Sequence, residues 1–402
     1  MKLFRISPGT DLDLLADNLW DGRQEGLQSR VVISIRRSRI ATVQPRGIES
    51  TGAGAQQMRL EGLTVLPGLI DAHVHLALDG IDFQASLDRW QDPAAREKAL
   101  GEALRSSLDH GLVAIRDGSD GEALNLLARA GIRTGKYPGP RVVATGMAVT
   151  KKGGYGSFLG PGTTEPASAK EMIAGLVHRG VDQIKVVVSG LVTFHRYGEV
   201  GKLEFTAAEL VEIVKEAHAA GRPVMAHVNS AAGVDLALAA GVDSIEHGYF
   251  LTPAQLEVMA ARGTYWVPTV AAIVNRLHSA KKEAYPEKEI KIIQRTVAAQ
   301  QEMIARAHHL GVQLVVGTDA GAPGVYHGES YLDELMYWYR AGIPAAAILR
   351  AATVTAAAAL GLAGELGQVR PGYRPCLIAV RGNPLEDLQV LGRPEMVFID
   401  TP

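Results

Sequence analysis

The chain has 402 residues, 47% of them hydrophobic and 21% charged, which is the make-up of a folded protein able to bury a large core. A formal net charge of -2 gives no electrostatic case for nucleic acid or an anionic membrane, so neither is expected as a partner. One cysteine, Cys376, excludes an intrachain disulfide and argues against thiolate metal chemistry.

The N-terminus runs from Met1-Lys2-Leu3-Phe4-Arg5 to Asp11, Asp13 and Asp17 with no apolar segment between, so no signal peptide is expected and the location is read as cytoplasmic. Residues 31–35 and 39–43 are β-branched runs across a tight polar turn and predict paired strands. From residue 67 the pattern changes. Apolar runs ending at His75 and spanning 112–115, 141–144, 184–188, 223–227, 244–247, 265–268 and 313–316 alternate with helical segments. Near-continuous apolar strands separated by helices indicate a parallel α/β sheet, and eight such units predict a closed (β/α)8 TIM barrel. Thr206 with Glu209 reads as a capping box opening the helix over 206–220, and Gly111, Gly180, Gly221, Gly241, Gly263 and Gly311 read as helix ends before strands. The stretch 343–362 carries Arg350, Thr353 and Thr355 and fits packed helices better than a lipid span. Residues 377–380 and 396–399 are strand-like again. The expected domains are a small β-sandwich from 1–66 and 365–402, and a barrel from 67–364.

In a barrel, functional groups gather where strands end and the following loops begin. His73 and His75 stand two residues apart at the end of the first run, so both project to one face and can hold one metal ion. Lys185, His227, His247 and Asp319 follow at the ends of later runs. Singly, each has a structural explanation: a hydrogen-bonded histidine, a turn-forming aspartate. Lys185 is the exception, because an apolar strand seldom tolerates an unpaired ammonium. Six such residues at consistent positions point to a metal centre.

These residues carry a family resemblance over nearly the whole chain. Leu66-Pro67-Gly68-Leu69-Ile70-Asp71-Ala72-His73-Val74-His75, Asp243-Ser244-Ile245-Glu246-His247-Gly248, Gly317-Thr318-Asp319-Ala320-Gly321 and the return 364–372 resemble the amidohydrolase superfamily. Lys185 in Gln183-Ile184-Lys185-Val186 places the resemblance in the binuclear subtype, and the layout is most similar to the prolidase-like group. The resemblance implies a hydrolase with two divalent ions, zinc being well suited to these donors. It implies a carboxylated Lys185 bridging the ions, His73, His75 and Asp319 on one ion, and His227 and His247 on the other. A bridging hydroxide would attack an amide-type C–N bond of a dipeptide or N-acyl amino acid, with Asp319 shuttling the proton. A small-molecule substrate and a homo-oligomer are implied as partners.

Two positions depart from the group: Tyr155 stands where a histidine is usual after strand three, and Asn229 where a tyrosine often follows the fifth-strand histidine. Substrate contacts are expected at Tyr155, Asn229, His327 and the loop residues His195, Arg196 and Tyr197, although those three could equally be a solvated loop. Lys151 and Lys152 could favour an acidic substrate or be surface lysines. The other histidines (110, 178, 218, 278, 308 and 309) read as surface residues. Competing functions are a lactonase or carboxylester or phosphotriester hydrolase on the same metals, a mononuclear deaminase or cyclic-amide hydrolase, and a scaffold without catalysis. Lys185 argues against the mononuclear reading, and the complete ligand set argues against the scaffold.

Overall fold

The computed structural model describes residues 1–47, 54–278 and 285–400. The N-terminal part supplies β1 (Lys2–Ile6), β2 (Leu12–Leu19), β3 (Gln28–Arg36), β4 (Arg39–Pro45) and β5 (Gln56–Pro67). Eight further strands follow: β6 (Leu69–Val74), β7 (Leu112–Asp117), β8 (Arg141–Ala144), β9 (Ile184–Val187), β10 (Val224–Val228), β11 (Ser244–His247), β12 (Tyr265–Val267) and β13 (Gln313–Leu314). Near the C-terminus come β14 (Leu377–Arg381) and β15 (Met396–Asp400).

Strands from both ends of the chain join one sheet, in the order β1-β15-β14-β5-β2-β3-β4. Alternation explains its core: Val31, Ile33 and Ile35 on β3 face one side and pack with Leu14, Val65 and Phe398. The two-layer sandwich expected of this region is, in its hydrogen bonding, one continuous seven-stranded sheet. The reason lies in β5. Its twelve residues pair with β2 along most of their length and with β14 from Leu63 to Pro67, and the β2 register shifts around Gly62, whose φ is +67°. One long kinked strand therefore serves both halves.

The eight middle strands are parallel and each lies beside its neighbour in the chain, as a three-stranded sheet β6-β7-β8 and a five-stranded sheet β13-β12-β11-β10-β9. Hydrogen bonds cross both gaps between the sheets. Val149 N donates to Lys185 O at 2.8 Å and Val187 N to Val149 O at 3.1 Å; on the other side Ala72 N donates to Val316 O at 3.0 Å and Asp319 N to His73 O at 2.7 Å. β6, β7, β9, β10 and β11 are buried at every residue, which is why their sequences are largely apolar without alternation. Where β8 begins, Arg141 is the one exposed exception. Helices such as Pro166–His178, Ala207–Ala219, Ala231–Ala240 and Pro253–Arg262 separate the strands. The six glycines read as helix ends all have φ between +68° and +85°, a region closed to most side chains. Thr206 and Glu209 form the capping box. Among the described residues no helix is long and apolar enough to cross a membrane.

Candidate active site

The C-terminal ends of the parallel strands bring the six ligand-type residues together. His73, His75, Lys185, His227 and His247 are all buried. The Nε2 atoms of His73 and His75 lie 3.5 and 3.3 Å from Asp319 Oδ1, and the three groups offer ligand atoms within 4.8 Å of one another. Lys185 Nζ stands 3.3 Å from His73 Nε2. His247 joins the group with ring centroids 5.0 Å from His73 and 4.6 Å from His227.

The second nitrogen of three of these rings is held from behind. His73 Nδ1 meets Glu246 Oε2 at 2.8 Å, His75 Nδ1 the carbonyl of Ser119 at 2.8 Å, and His247 Nδ1 the hydroxyl of Thr269 at 2.7 Å. Such partners fix the tautomer and leave Nε2 with its lone pair facing the other groups. Backbone strain sits at the same place. His247, Asp319, Ser119 and Thr269 have φ of 70°, 63°, 89° and 51°, half of the positive-φ residues other than glycine among those described. At His247 the reason is geometric. Glu246 already points inward, so its neighbour on an extended strand would point outward. The left-handed turn breaks that alternation and lets consecutive side chains serve one site, at a cost of about 1–3 kcal/mol.

Beneath the site lies a buried ion pair of which the sequence motifs included only Glu246, without a role, and not Arg116. Arg116 Nη2 donates to Glu246 Oε1 at 2.8 Å, Nε to the carbonyl of Ala72 at 2.7 Å, and Nη1 to Gln183 and Ser244 at 3.1 Å each. Burial alone would raise Glu246, but Arg116 and His73 outweigh it and hold the carboxyl at about 2. The usable signal was the charge carried by two buried strands, Arg116 beside Asp117 in β7 and Glu246 beside His247 in β11.

Burial lowers His73 to about 4, His227 to about 3 and His247 well below its ordinary value, so these rings are neutral donors at neutral pH. It also lowers the Lys185 amine to about 8. His75 differs: burial works to lower it, but Asp319 outweighs burial and its pKa is raised. Asp319 is held far below the carboxylate range, burial being overcome by the surrounding histidines. Neutral imidazoles, a carboxylate and a readily deprotonated amine are the donor set that divalent ions require. The residues fit metal.

Above them opens a cavity of about 430 Å³. His75, Lys185, His227, His247 and Asp319 line its floor, with Tyr155 and Asn229 beside them. The Tyr155 ring lies 5.4 Å from that of His227, and burial pushes its hydroxyl pKa up. Asn229 Nδ2 donates to the carbonyl of Gly190 at 3.1 Å and sits 3.2 Å from His227 Nε2. The walls are apolar, with Phe83 edge-on to Phe158 at 5.0 Å, and Phe194, Leu191, Val192 and Ile273. Arg276 also lines the cavity, and its charge is felt at both Tyr155 and Tyr249.

Four expected substrate residues do not line this cavity. The loop after β9 pairs with itself, Val192 opposite Val200, and turns its tip outward. His195 is exposed and meets Glu289 at 3.0 Å, Arg196 is exposed, and the Tyr197 ring lies under Arg295 at 3.7 Å. The root of the loop, at Leu191, Val192 and Phe194, faces the site instead. His327 is buried nearby, its Nε2 donating to the carbonyl of Leu78 at 2.9 Å. Lys151 pairs with Glu209 outside the cavity. None of His110, His178, His218, His278, His308 and His309 lines the cavity, and His218 lies on Asp243 at 2.8 Å. Arg276 and the aromatic wall escaped sequence reading because single aromatic or basic residues in loops carry no spacing signal.

The model of the amidohydrolase family matches residues 64–400. The chain belongs to the amidohydrolase family. It is a hydrolytic enzyme. Ochratoxinase from Aspergillus niger is 29% identical over 374 residues, covering 83% of this chain and 73% of that protein. An uncharacterised protein of Mycobacterium tuberculosis is 27% identical over 352 residues, covering 86% of each chain. Among solved structures, a Xaa-Pro dipeptidase with methionine in its active site superposes with a TM-score of 0.84 at 28% identity, covering 97% of this amidohydrolase and 98% of the dipeptidase. This dipeptidase and a putative prolidase from Bifidobacterium longum, 25% identical, agree with the prolidase-like resemblance.

Proposed function

We propose that this amidohydrolase uses two divalent ions, zinc by donor type, to hydrolyse the amide C–N bond of an N-acyl amino acid or dipeptide. The proposal takes the two parallel sheets as one closed (β/α)8 barrel over 67–364, with the small domain of 1–66 and 365–402 beside it. The observation that carries it is the convergence of His73, His75 and Asp319 within 4.8 Å, with Lys185 against His73 and with His227 and His247 adjoining.

His73, His75 and Asp319 would hold one ion, His227 and His247 the other, and a carboxylated Lys185 would join both. Its buried amine deprotonates readily; attack on carbon dioxide forms an N–C bond, releases a proton and turns a cation among histidines into an anion. Ions held there would supply a water ionised at neutral pH and a Lewis acid against the scissile carbonyl. The Asp319 carboxylate takes the proton of the attacking water and delivers it to the leaving nitrogen. Tyr155, kept protonated by burial, donates to the developing oxyanion. Arg276 is the cavity cation not assigned to the metal centre, and it pairs with the carboxylate of the leaving amino acid. The apolar wall takes a bulky side chain. Ochratoxinase and Xaa-Pro dipeptidase names among the similar proteins support amide chemistry.

The test is metal analysis together with a panel of N-acyl amino acids, dipeptides, lactones and neutral esters. About two ions per chain and a preference for carboxylate-bearing amides are expected. Arg276→Met should raise KM for those amides about 10- to 100-fold, the loss of a charge-assisted hydrogen bond, and leave neutral esters unaffected. Faster turnover of lactones or neutral esters, with no effect of Arg276→Met, would replace amide hydrolysis with the ester reading.

A further inference from the structure

The opposite ends of the same strands enclose a second cavity, of about 880 Å³, twice the volume of the first. Val113, Val142 and Pro223, at the beginnings of β7, β8 and β10, form one wall, and Cys376 and Ile399 of the small sheet face them. Six arginines line it: Arg5, Arg129, Arg133, Arg141, Arg222 and Arg374. They come from unrelated elements, among them β1, the end of the helix Leu124–Arg133 and the turn before β10.

Three of these arginines are spoken for. Arg129 pairs with Asp182 at 2.6 Å; Arg141 and Arg374 share Glu365 at 2.7 and 2.6 Å, and Arg374 also meets Asp400. Those contacts already tie the small sheet to the strand ends. Arg5, Arg133 and Arg222 make no ion pair with any described residue, so among the described residues three positive charges around one concavity have no matching acid. Among the described residues, Arg222 Nε and the Tyr137 hydroxyl, both on the cavity lining, are buried without a hydrogen-bond partner. The excess does not reflect a basic chain, since the protein as a whole carries -2. Arg5 and Arg133 are exposed and Arg222 is half-buried; like charges gathered around one concavity repel and raise the local potential, and a polyanion relieves both effects. Guanidinium groups suit phosphate and carboxylate because they bind each through two parallel hydrogen bonds.

We propose that this cavity binds a small molecule carrying two or more phosphate or carboxylate groups, at a site separate from the active site. The anion would join Arg133 and Arg222 of the strand base to Arg5 of the small sheet and so clamp the two parts together. This inference does not depend on the reaction proposed above.

The test uses the full metal-loaded protein in calorimetric titrations at low salt, with fructose 1,6-bisphosphate as the phosphate probe and tricarballylate as the carboxylate probe. Lactate serves as the single-charge control. Binding of one probe per chain is expected, weaker with added sodium chloride and at least tenfold tighter than lactate; whichever probe binds tighter names the group. The Arg133→Gln/Arg222→Gln double variant should lose at least tenfold in affinity, and Arg133→Lys/Arg222→Lys less. Thermal unfolding without probe checks that both variants fold. Neither probe binding at millimolar concentration, or an affinity unchanged in the glutamine variant, would overturn the proposal.

Discussion

The two ends of the parallel strands handle charge in opposite ways. At the C-terminal end the buried Asp319 and the Arg116–Glu246 pair are matched inside the protein: Asp319 lies against two histidines, and Arg116 beneath them meets Glu246 and three further acceptors. At the N-terminal end three arginines share a cavity without a described acid to match them. The matched charges of the first end are fixed by strained backbone and shared hydrogen bonds. The second is open. Catalytic groups must hold their geometry before substrate arrives, which demands matched charge and rigid support. A cavity that recognises an anion can leave its cations uncompensated, because the ligand completes them.

Breaking the matched end should give the largest effect. Asp319→Asn keeps the shape and a metal-binding oxygen but cannot take up a proton at neutral pH. Turnover should fall about 10²- to 10⁴-fold, the usual scale of general acid–base catalysis, with the metal content largely kept. A kcat within a few-fold of the parent would remove Asp319 from proton transfer. Arg116→Met comes next and acts through support rather than chemistry. It leaves Glu246 buried with only Ser244 and His73 as partners, and losing one member of a buried pair costs about 3–5 kcal/mol. The urea midpoint should drop accordingly, and because Glu246 holds His73 Nδ1, metal retention should weaken by about 10- to 100-fold. Unchanged stability would mean that the pair is not what anchors the site.

The same contrast explains how much was readable beforehand. The six ligands were legible because a polar residue at the end of an apolar strand is conspicuous, and their strand context fixes the direction in which they point. His73, Lys185 and Asp319 come from β6, β9 and the segment after β13, which are not neighbours in the chain; they meet because hydrogen bonds across both gaps between the sheets bring the ends of these strands around one point. Loops offered no such rule. The direction of His195, Arg196 and Tyr197 was decided by the pairing of Val192 with Val200, and that of Arg276 by a short helical turn, Asn275–Leu277, neither of which leaves a periodic trace. The arginine cavity was hidden for the same reason: its members are spread from Arg5 to Arg374, and only the contact between the small sheet and the strand base unites them.

The smallest predicted effect has the opposite sign and probes the open end alone. The Tyr137 hydroxyl is buried with no hydrogen-bond partner among the described residues, and a buried unsatisfied polar group costs about 1–3 kcal/mol relative to a paired one. Its ring packs closely over Gly131, contacts that phenylalanine retains. Tyr137→Phe should therefore leave the protein as stable as the parent or more stable by up to about 1 kcal/mol, read from the urea midpoint. With fructose 1,6-bisphosphate present the order should reverse, because the parent hydroxyl gains a phosphate acceptor that the variant cannot use. A variant destabilised to the same extent with and without the bisphosphate would show that the hydroxyl already has its partner inside the fold. The cavity would then be a matched interface like the other end.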